Sequence, residues 1–288
     1  MTGGSREGSR VNRELAVAAQ SAGIAVGSGS MRVLFRRPEL VPQFALKTWA
    51  PDVPHIANIG AVQLRDIGAG PVLEMARRIE ADALAVHLNP GQELFQRQGD
   101  RDFKGLWAAL LNLFEVSRLP VIVKETGFGM APSEVRRLLD AGAAYVDLAG
   151  SGGTNWIAVE AHRLDSQAER EAAAEFAEWG YPTALLLAAV DDRSRRVLAS
   201  GGVRGALDVV KALALGAGLA GLALPLARLA LERGSEGVLE RIAALEAAIR
   251  AAMLLAGARS AAQLGRERLW MESAFAAEAA ALAASGDG

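Results

Sequence analysis

A chain of 288 residues, 51% of them hydrophobic, has the material for one large core. Its 31 basic residues against 33 acidic ones leave a net charge of −2, which gives no electrostatic case for a nucleic-acid partner. Cysteine is absent, which excludes disulfides and thiolate chemistry and fits a reducing, cytoplasmic setting; three histidines (His55, His87, His162) argue against a multi-histidine metal centre.

The first residues, Met1-Thr2-Gly3-Gly4, read as a strand-to-helix loop with no strand before it, and they lack the apolar core of a secretory signal. Strand-length apolar runs follow at residues 24–26, 55–59, 83–87, 121–124, 144–148, 197–200 and 219–223. Amphipathic helical stretches at 15–20, 72–79, 106–117, 133–140 and 207–215 separate them. Residues 163–190 read as helical, with a helix start at Tyr181-Pro182-Thr183, and the chain from Glu236 onward reads as alanine-rich helix. The longest uncharged apolar stretch, 212–227, holds three glycines and a proline and is too short to cross a bilayer. Strand alternating with helix is the pattern of a parallel sheet built from right-handed crossovers. The pattern predicts an α/β fold, a (β/α)8 TIM barrel with its first strand missing. An open doubly wound sheet is the alternative, weakened by the lack of a GxGxxG turn near a first strand. The whole chain is expected to form one domain, with residues 258–288 as a helical extension.

In such a barrel the loops after the strands converge on one face. His87-Leu88-Asn89-Pro90-Gly91-Gln92-Glu93 gathers an imidazole, two amides and a carboxylate directly after an apolar run. That set can bind an oxyanion, orient a substrate and ligate a hard cation; an ordinary polar loop is the bland alternative. Gly152-Gly153-Thr154 and Gly201-Gly202-Val203-Arg204 are glycine loops that let backbone N–H groups approach a phosphate. Lys124 closes a strand with Glu125 aimed to the other side, so an anion is expected to meet it; a lysine snorkelling to the rim is the bland alternative. Trp156 reads either as core or as the wall of an apolar substrate site.

These motifs, with Ala57-Asn58-Ile59-Gly60, Gly99-Asp100-Arg101-Asp102-Phe103 and Lys124-Glu125-Thr126-Gly127-Phe128-Gly129-Met130, closely resemble the type 2 isopentenyl-diphosphate isomerases, an FMN-dependent (β/α) barrel family. The resemblance runs from Met1 to about Gly257. It implies interconversion of isopentenyl and dimethylallyl diphosphate with no net redox change, using reduced FMN, NADPH as reductant and Mg²⁺. It makes Glu93 the Mg²⁺ ligand and places catalytic Gln92 beside the allylic carbons. Ser30, Met31, Arg32, His87, Asn89 and Trp156 would line the substrate. Met1, Thr2, Gly3, Ser30, Asn58, Lys124 and Thr154 would contact FMN, and Gly202, Val203, Arg204, Ala223 and Leu224 would cradle its phosphate. A homo-oligomer, tetramer or octamer, is implied as well. The family carries a first strand and an Arg-Lys pair upstream of the Met-Thr-Gly-Gly motif, so without an upstream segment the chain is expected to be poorly soluble or inactive. Readings that compete with the isomerase are an inactive or truncated FMN-barrel paralogue and another FMN-dependent oxidoreductase.

Overall fold

The computed structural model describes residues 4–190 and 194–285. Helix α1 (Arg6–Ala22) leads to β1 (Val26–Ser30), and short 3-10 turns carry the chain to β2 (His55–Gly60), α2 (Ala61–Ile67) and α3 (Ala69–Arg78). Next come β3 (Ala83–His87), α4 (Pro90–Phe95), α5 (Leu106–Val116), β4 (Val121–Lys124), α6 (Pro132–Asp140) and β5 (Tyr145–Asp147). Helices α7 (Trp156–Ala161), α8 (Gln167–Ala174) and α9 (Thr183–Val190) precede β6 (Val197–Leu198). Helices α10 (Ala206–Ala214), α11 (Leu224–Leu255) and α12 (Ser273–Ala284) follow. The chain divides into two compact units, Met1–His87 with Lys104–Ile122 and Ala223–Ala247, and Leu88–Phe103 with Val123–Leu222 and Ala248–Gly288.

In the first unit β1, β2 and β3 pair in parallel, with Val26 opposite His55 and Ala57 opposite Leu84. The Leu84 N–H donates to Pro120 O (3.0 Å), which sets the start of β4 beside β3. Apolar faces of α1 bury Val11 and Ala18 against Ala230 and Val238 of α11, and Ala16 and Ala19 against Val26, Leu46, Ala50 and Val53. The first strand lies later than the expected 24–26. Gly23 ends α1 in the left-handed region at φ 67°, and the Ile24 N–H returns to Ala19 O, so Ile24 closes the helix. The strand itself, Val-Gly-Ser-Gly-Ser, carries no apolar alternation to reveal it.

In the second unit Leu88 N–H donates to Lys124 O (2.7 Å) and Glu125 N–H to Asp147 O (3.2 Å), and β5 pairs with β6 in parallel. The expected strand at 219–223 reduces to one parallel bridge, Ala199 to Ala220, bordered by Gly218 and Gly221. Glycine weakens a strand by entropy and offers no side chain to pack. Residues 163–190 are not one helix. Gly180, at φ 110°, breaks them where a Cβ would lie 2.5 Å from Phe128 O, and Pro182 bridges to Ser151 before α9 starts at Thr183 as expected. The helical reading beyond Glu236 is also interrupted. Residues 256–272 form two 3-10 turns (Ala261–Gln263 and Arg266–Arg268) before α12. Arg266 Nη2 donates to Leu187 O and Ala188 O at the end of α9 (both 2.9 Å), and Arg195 Nη2 donates to Leu264 O (3.1 Å). The expectation of an absent first strand falls at and before residues 1–3, outside the described residues.

His55 opens β2 fully buried, and neither ring nitrogen has a partner among the described residues. Its backbone N–H donates to Asp82 Oδ2 (2.7 Å), which also meets Lys47 Nζ (2.8 Å). Burial pushes the imidazole pKa down to about 4. The unfolded chain takes up that proton near pH 6.5, so between the two values it binds more protons than the folded chain, and stability falls as the pH drops through this window. The loss amounts to roughly 3 kcal/mol by pH 4. Glu125, raised by burial against its backbone hydrogen bonds, works in the opposite direction. Comparing urea midpoints of the native chain and His55→Leu at pH 7 and 4.5 isolates the histidine; the leucine variant should lose markedly less stability, and equal losses would remove His55 as the cause.

Candidate active site

Helix α4 in the second unit gathers the largest set of buried polar groups. Pro90 at its first position presets φ, and Asn89 precedes it with non-helical angles (φ −136°, ψ 44°). Spacings of three and four residues then bring Asn89, Gln92 and Glu93 onto one face. Asn89 Nδ2 donates to Gln92 Oε1 (3.2 Å) and to Glu93 Oε1 (3.0 Å). Gln92 Nε2 donates to Glu160 Oε1 (2.9 Å) on α7, and Glu160 also meets Arg163 Nη1 (3.3 Å). The Asp100 N–H donates to Glu93 Oε2 (2.9 Å). Asn89, Gln92, Glu93 and Glu160 are all less than a tenth exposed. Buried polar groups satisfied in this way are held in one orientation.

Glu160 is the member that the sequence reading missed. Its signal was a lone acid inside Trp156-Ile157-Ala158-Val159-Glu160-Ala161, an otherwise apolar turn.

Lys124 ends β4 half-buried and donates to the Glu125 carbonyl (2.5 Å). The Glu125 carboxylate turns away, as strand alternation predicts. It accepts the backbone N–H groups of Thr126, Gly127, Phe128 and Gly129 at 2.6, 2.7, 2.6 and 3.3 Å. This folds residues 126–129 tightly against the chain at 154–156. A Cβ on Gly127 would sit 2.6 Å from Thr154 O and 3.9 Å from Trp156 Cδ1.

The two glycine loops meet in the same unit. A Cβ on Gly153 would lie 2.8 Å from the Gly202 nitrogen, and Arg204 Nη2 donates to Gly152 O (2.7 Å). Asp147, a second acid that the sequence reading did not single out, fixes the base of these loops: it accepts the Ser200 N–H (3.1 Å), the Ser200 hydroxyl (2.8 Å) and the Ala149 N–H (3.3 Å). The N–H groups of Gly202 and Val203 have no acceptor among the described residues.

The first unit holds the other expected residues. Ser30 ends β1 and its hydroxyl accepts the Arg32 N–H (3.4 Å), while Met31 is wholly buried. Asn58 Oδ1 lies 2.8 Å from His87 Nδ1, which orients the ring. Gly60 leaves room for it; a Cβ there would lie 3.1 Å from His87 Nε2. Ala223 and Leu224 stand at the start of α11. Met1, Thr2 and Gly3 lie outside the described residues.

The FMN-dependent dehydrogenase family matches residues 57–271, well over half of the chain. Isopentenyl-diphosphate delta-isomerase of Borrelia garinii is 40% identical over 279 residues, 96% of this chain and 78% of that protein. The isomerase of Methanothrix thermoacetophila is 42% identical over 270 residues, covering 92% and 75%. The chain belongs to the isopentenyl-diphosphate delta-isomerase family. A third isomerase, from Synechocystis, is 46% identical over 231 residues, covering 78% and 65%. Among solved structures, a flavocytochrome b2 mutant with benzoylformate superposes with a TM-score of 0.63 at 18% identity, covering 89% of this chain and 63% of that one. A mandelate oxidase mutant with the monooxide FMN adduct gives 0.56 at 19%, covering 87% and 71%. At that identity the likeness shows the fold alone, and the fold is the α/β TIM barrel of the FMN-dependent family.

The isomerase-family residues suit a flavin phosphate. The bare Gly153 and Gly202 backbones and the N–H groups at 202 and 203, which have no acceptor among the described residues, form a cradle that a Cβ would fill. The donor set also suits a magnesium ion. No cluster of three or more His, Cys, Asp or Glu able to hold a metal occurs among the described residues. A site with one carboxylate, Glu93, that leaves other positions to water and substrate phosphate is the kind Mg²⁺ occupies. No described helix is long and apolar enough to cross a membrane.

Proposed function

We propose that this chain interconverts isopentenyl and dimethylallyl diphosphate, with reduced FMN and Mg²⁺ bound and NADPH as the source of reducing equivalents. The observation that carries the reading is the buried Asn89–Gln92–Glu93–Glu160 network in a chain 40–46% identical to isomerases over most of its length. The reaction moves a double bond by adding a proton at its terminal vinylic carbon and removing one from the allylic methylene on the diphosphate side. Reduced flavin supplies the acid–base chemistry when bound.

The protein's own part is orientation and charge. Asn89 and Glu160 grip the Gln92 amide from both ends, which leaves its second N–H to face the substrate double bond. Glu93 would hold the Mg²⁺ ion through the carboxylate lone pairs that Asn89 and Asp100 do not use, and the ion would supply positive charge for the diphosphate. His87, held by Asn58, presents Nε2 to the diphosphate when protonated. Lys124 stabilises anionic flavin by Coulomb attraction, and Gly202, Val203 and Arg204 hold its phosphate. Trp156 walls the isoprenoid chain, and Thr154 meets the flavin. A homo-oligomer, tetramer or octamer, and a cytoplasmic location belong to the same reading.

The test is anaerobic turnover of isopentenyl diphosphate with FMN, NADPH and Mg²⁺, read as acid-labile allylic diphosphate. Formation of that product, lost when flavin or Mg²⁺ is left out, is the expected result. Protein that stays colourless after incubation with FMN would overturn the proposal. So would a flavoprotein that is reduced by 2-hydroxy acids and leaves isopentenyl diphosphate unchanged.

A further inference from the structure

Residues 96–103 fold back on α4 and take no part in the network described above except through one backbone N–H. The Gly99 N–H donates to Gln96 O (3.0 Å) and closes a turn, and the Asp100 N–H then reaches Glu93 Oε2. Two features hold the turn there. Arg101 spans two carbonyls at the end of α4: Nη1 donates to Glu93 O, and Nη2 donates to Gln96 O (3.5 Å). These carbonyls lack intrahelical partners, and a cation is favoured at that end of a helix. Gly99 makes the approach sterically feasible, since a Cβ there would lie 2.0 Å from Glu93 O and 2.8 Å from its carbonyl carbon. On the outer side Arg97 pairs with Asp165.

We infer that Arg101 and Gly99 are positioning residues for Glu93, folding residues 96–103 so that the Asp100 N–H sets the carboxylate for a divalent cation. The inference rests on the reading of Glu93 as the cation ligand. A carboxylate has about four lone-pair directions. Asn89 uses one on Oε1 and Asp100 one on Oε2, so the remaining pair has a fixed direction. Without the Asp100 N–H the carboxylate regains rotation about its terminal torsion, and a cation must bear the cost of freezing it. Groups that orient a metal ligand typically change metal affinity by about 10–100-fold.

The experiment measures Mn²⁺ binding to the flavin-loaded protein by electron paramagnetic resonance, using Mn²⁺ alone, for the native chain, Arg101→Ala, Arg101→Lys, Gly99→Ala and Glu93→Gln. Thermal unfolding and flavin content are followed in parallel. Arg101→Ala is expected to weaken Mn²⁺ binding at least about tenfold, with flavin content unchanged. Arg101→Lys, which cannot span both carbonyls, should fall between. Gly99→Ala should repeat the loss by a steric route. Loss of binding in Glu93→Gln with native binding in Arg101→Ala and Gly99→Ala would overturn the inference alone. Native binding in Glu93→Gln would overturn the reading of Glu93 itself. A fall in melting temperature with unchanged Mn²⁺ affinity would make Arg101 a purely structural clamp and also defeat the inference.

Discussion

Glu93→Gln is expected to reduce Mg²⁺-dependent isomerase turnover by at least about a thousand-fold while the protein keeps its flavin. Two effects add. The exchange removes the one formal negative charge in the Asn89–Gln92–Glu93 turn, and a hard divalent cation bound by few protein ligands loses its main electrostatic attraction. Lewis-acid stabilisation of a phosphate is worth several kcal/mol, and each 1.4 kcal/mol is roughly tenfold in rate. The amide also brings a donor into a place built for acceptors. Asn89 Nδ2 and the Asp100 N–H already point at Glu93 Oε1 and Oε2, so whichever end carries the new NH2 faces another N–H. Steady-state rates across a Mg²⁺ titration, with the flavin absorbance recorded on the same sample, check the prediction. Retention of the native rate, or loss of colour in step with the rate, would show that Glu93 serves another purpose.

Gly153→Ala is expected to empty the flavin site. Its new methyl would stand 2.8 Å from the Gly202 nitrogen, over an N–H that has no acceptor among the described residues. A hydrogen bond to a charged group is worth about 1.5–3 kcal/mol, and blocking the Gly202 N–H while displacing that of Val203 should weaken FMN binding by roughly a hundred-fold or more. Gly153 does not have a positive φ, so the substitution tests occlusion rather than backbone strain. Quenching of flavin fluorescence on titration reads the affinity directly. Native FMN affinity in this variant would place the phosphate elsewhere.

Much of this site was legible because its chemistry sits on short, sharply punctuated segments. The run 83–87 coincides with β3, and Asn-Pro fixes where α4 begins, so the spacing of Asn89, Gln92 and Glu93 carries over directly into one face. The two glycine pairs mark a close backbone approach, which the structure has between Gly153 and Gly202, because glycine is what such an approach demands. Glu160 and Asp147 escaped for the opposite reason. Each is a single acid in an apolar or strand-ending context, and its partner lies 68 or 53 residues away in the sequence, beyond the reach of any local pattern. The first strand was misplaced because Ile24, the most strand-like residue nearby, finishes a helix, while the strand is made of glycine and serine. The strand expected at 219–223 dissolved into a bridge between two glycines.

The arginines at 195, 266 and 268 fasten residues 256–272 by donating to main-chain oxygens of Leu187, Ala188, Ala256, Ala262, Gln263 and Leu264. A carbonyl is present whatever side chain it carries. The positions that receive these arginines are therefore free to drift in sequence without loosening the attachment, and no compensating acid needs to change with them. In a chain where only four of 31 basic residues are lysine, that is a use for guanidinium groups that does not depend on an opposite charge, although Arg268 also lies 3.6 Å from Glu267. A search for co-varying opposite charges would not register these main-chain bonds, although deleting a single arginine would release two of them at once.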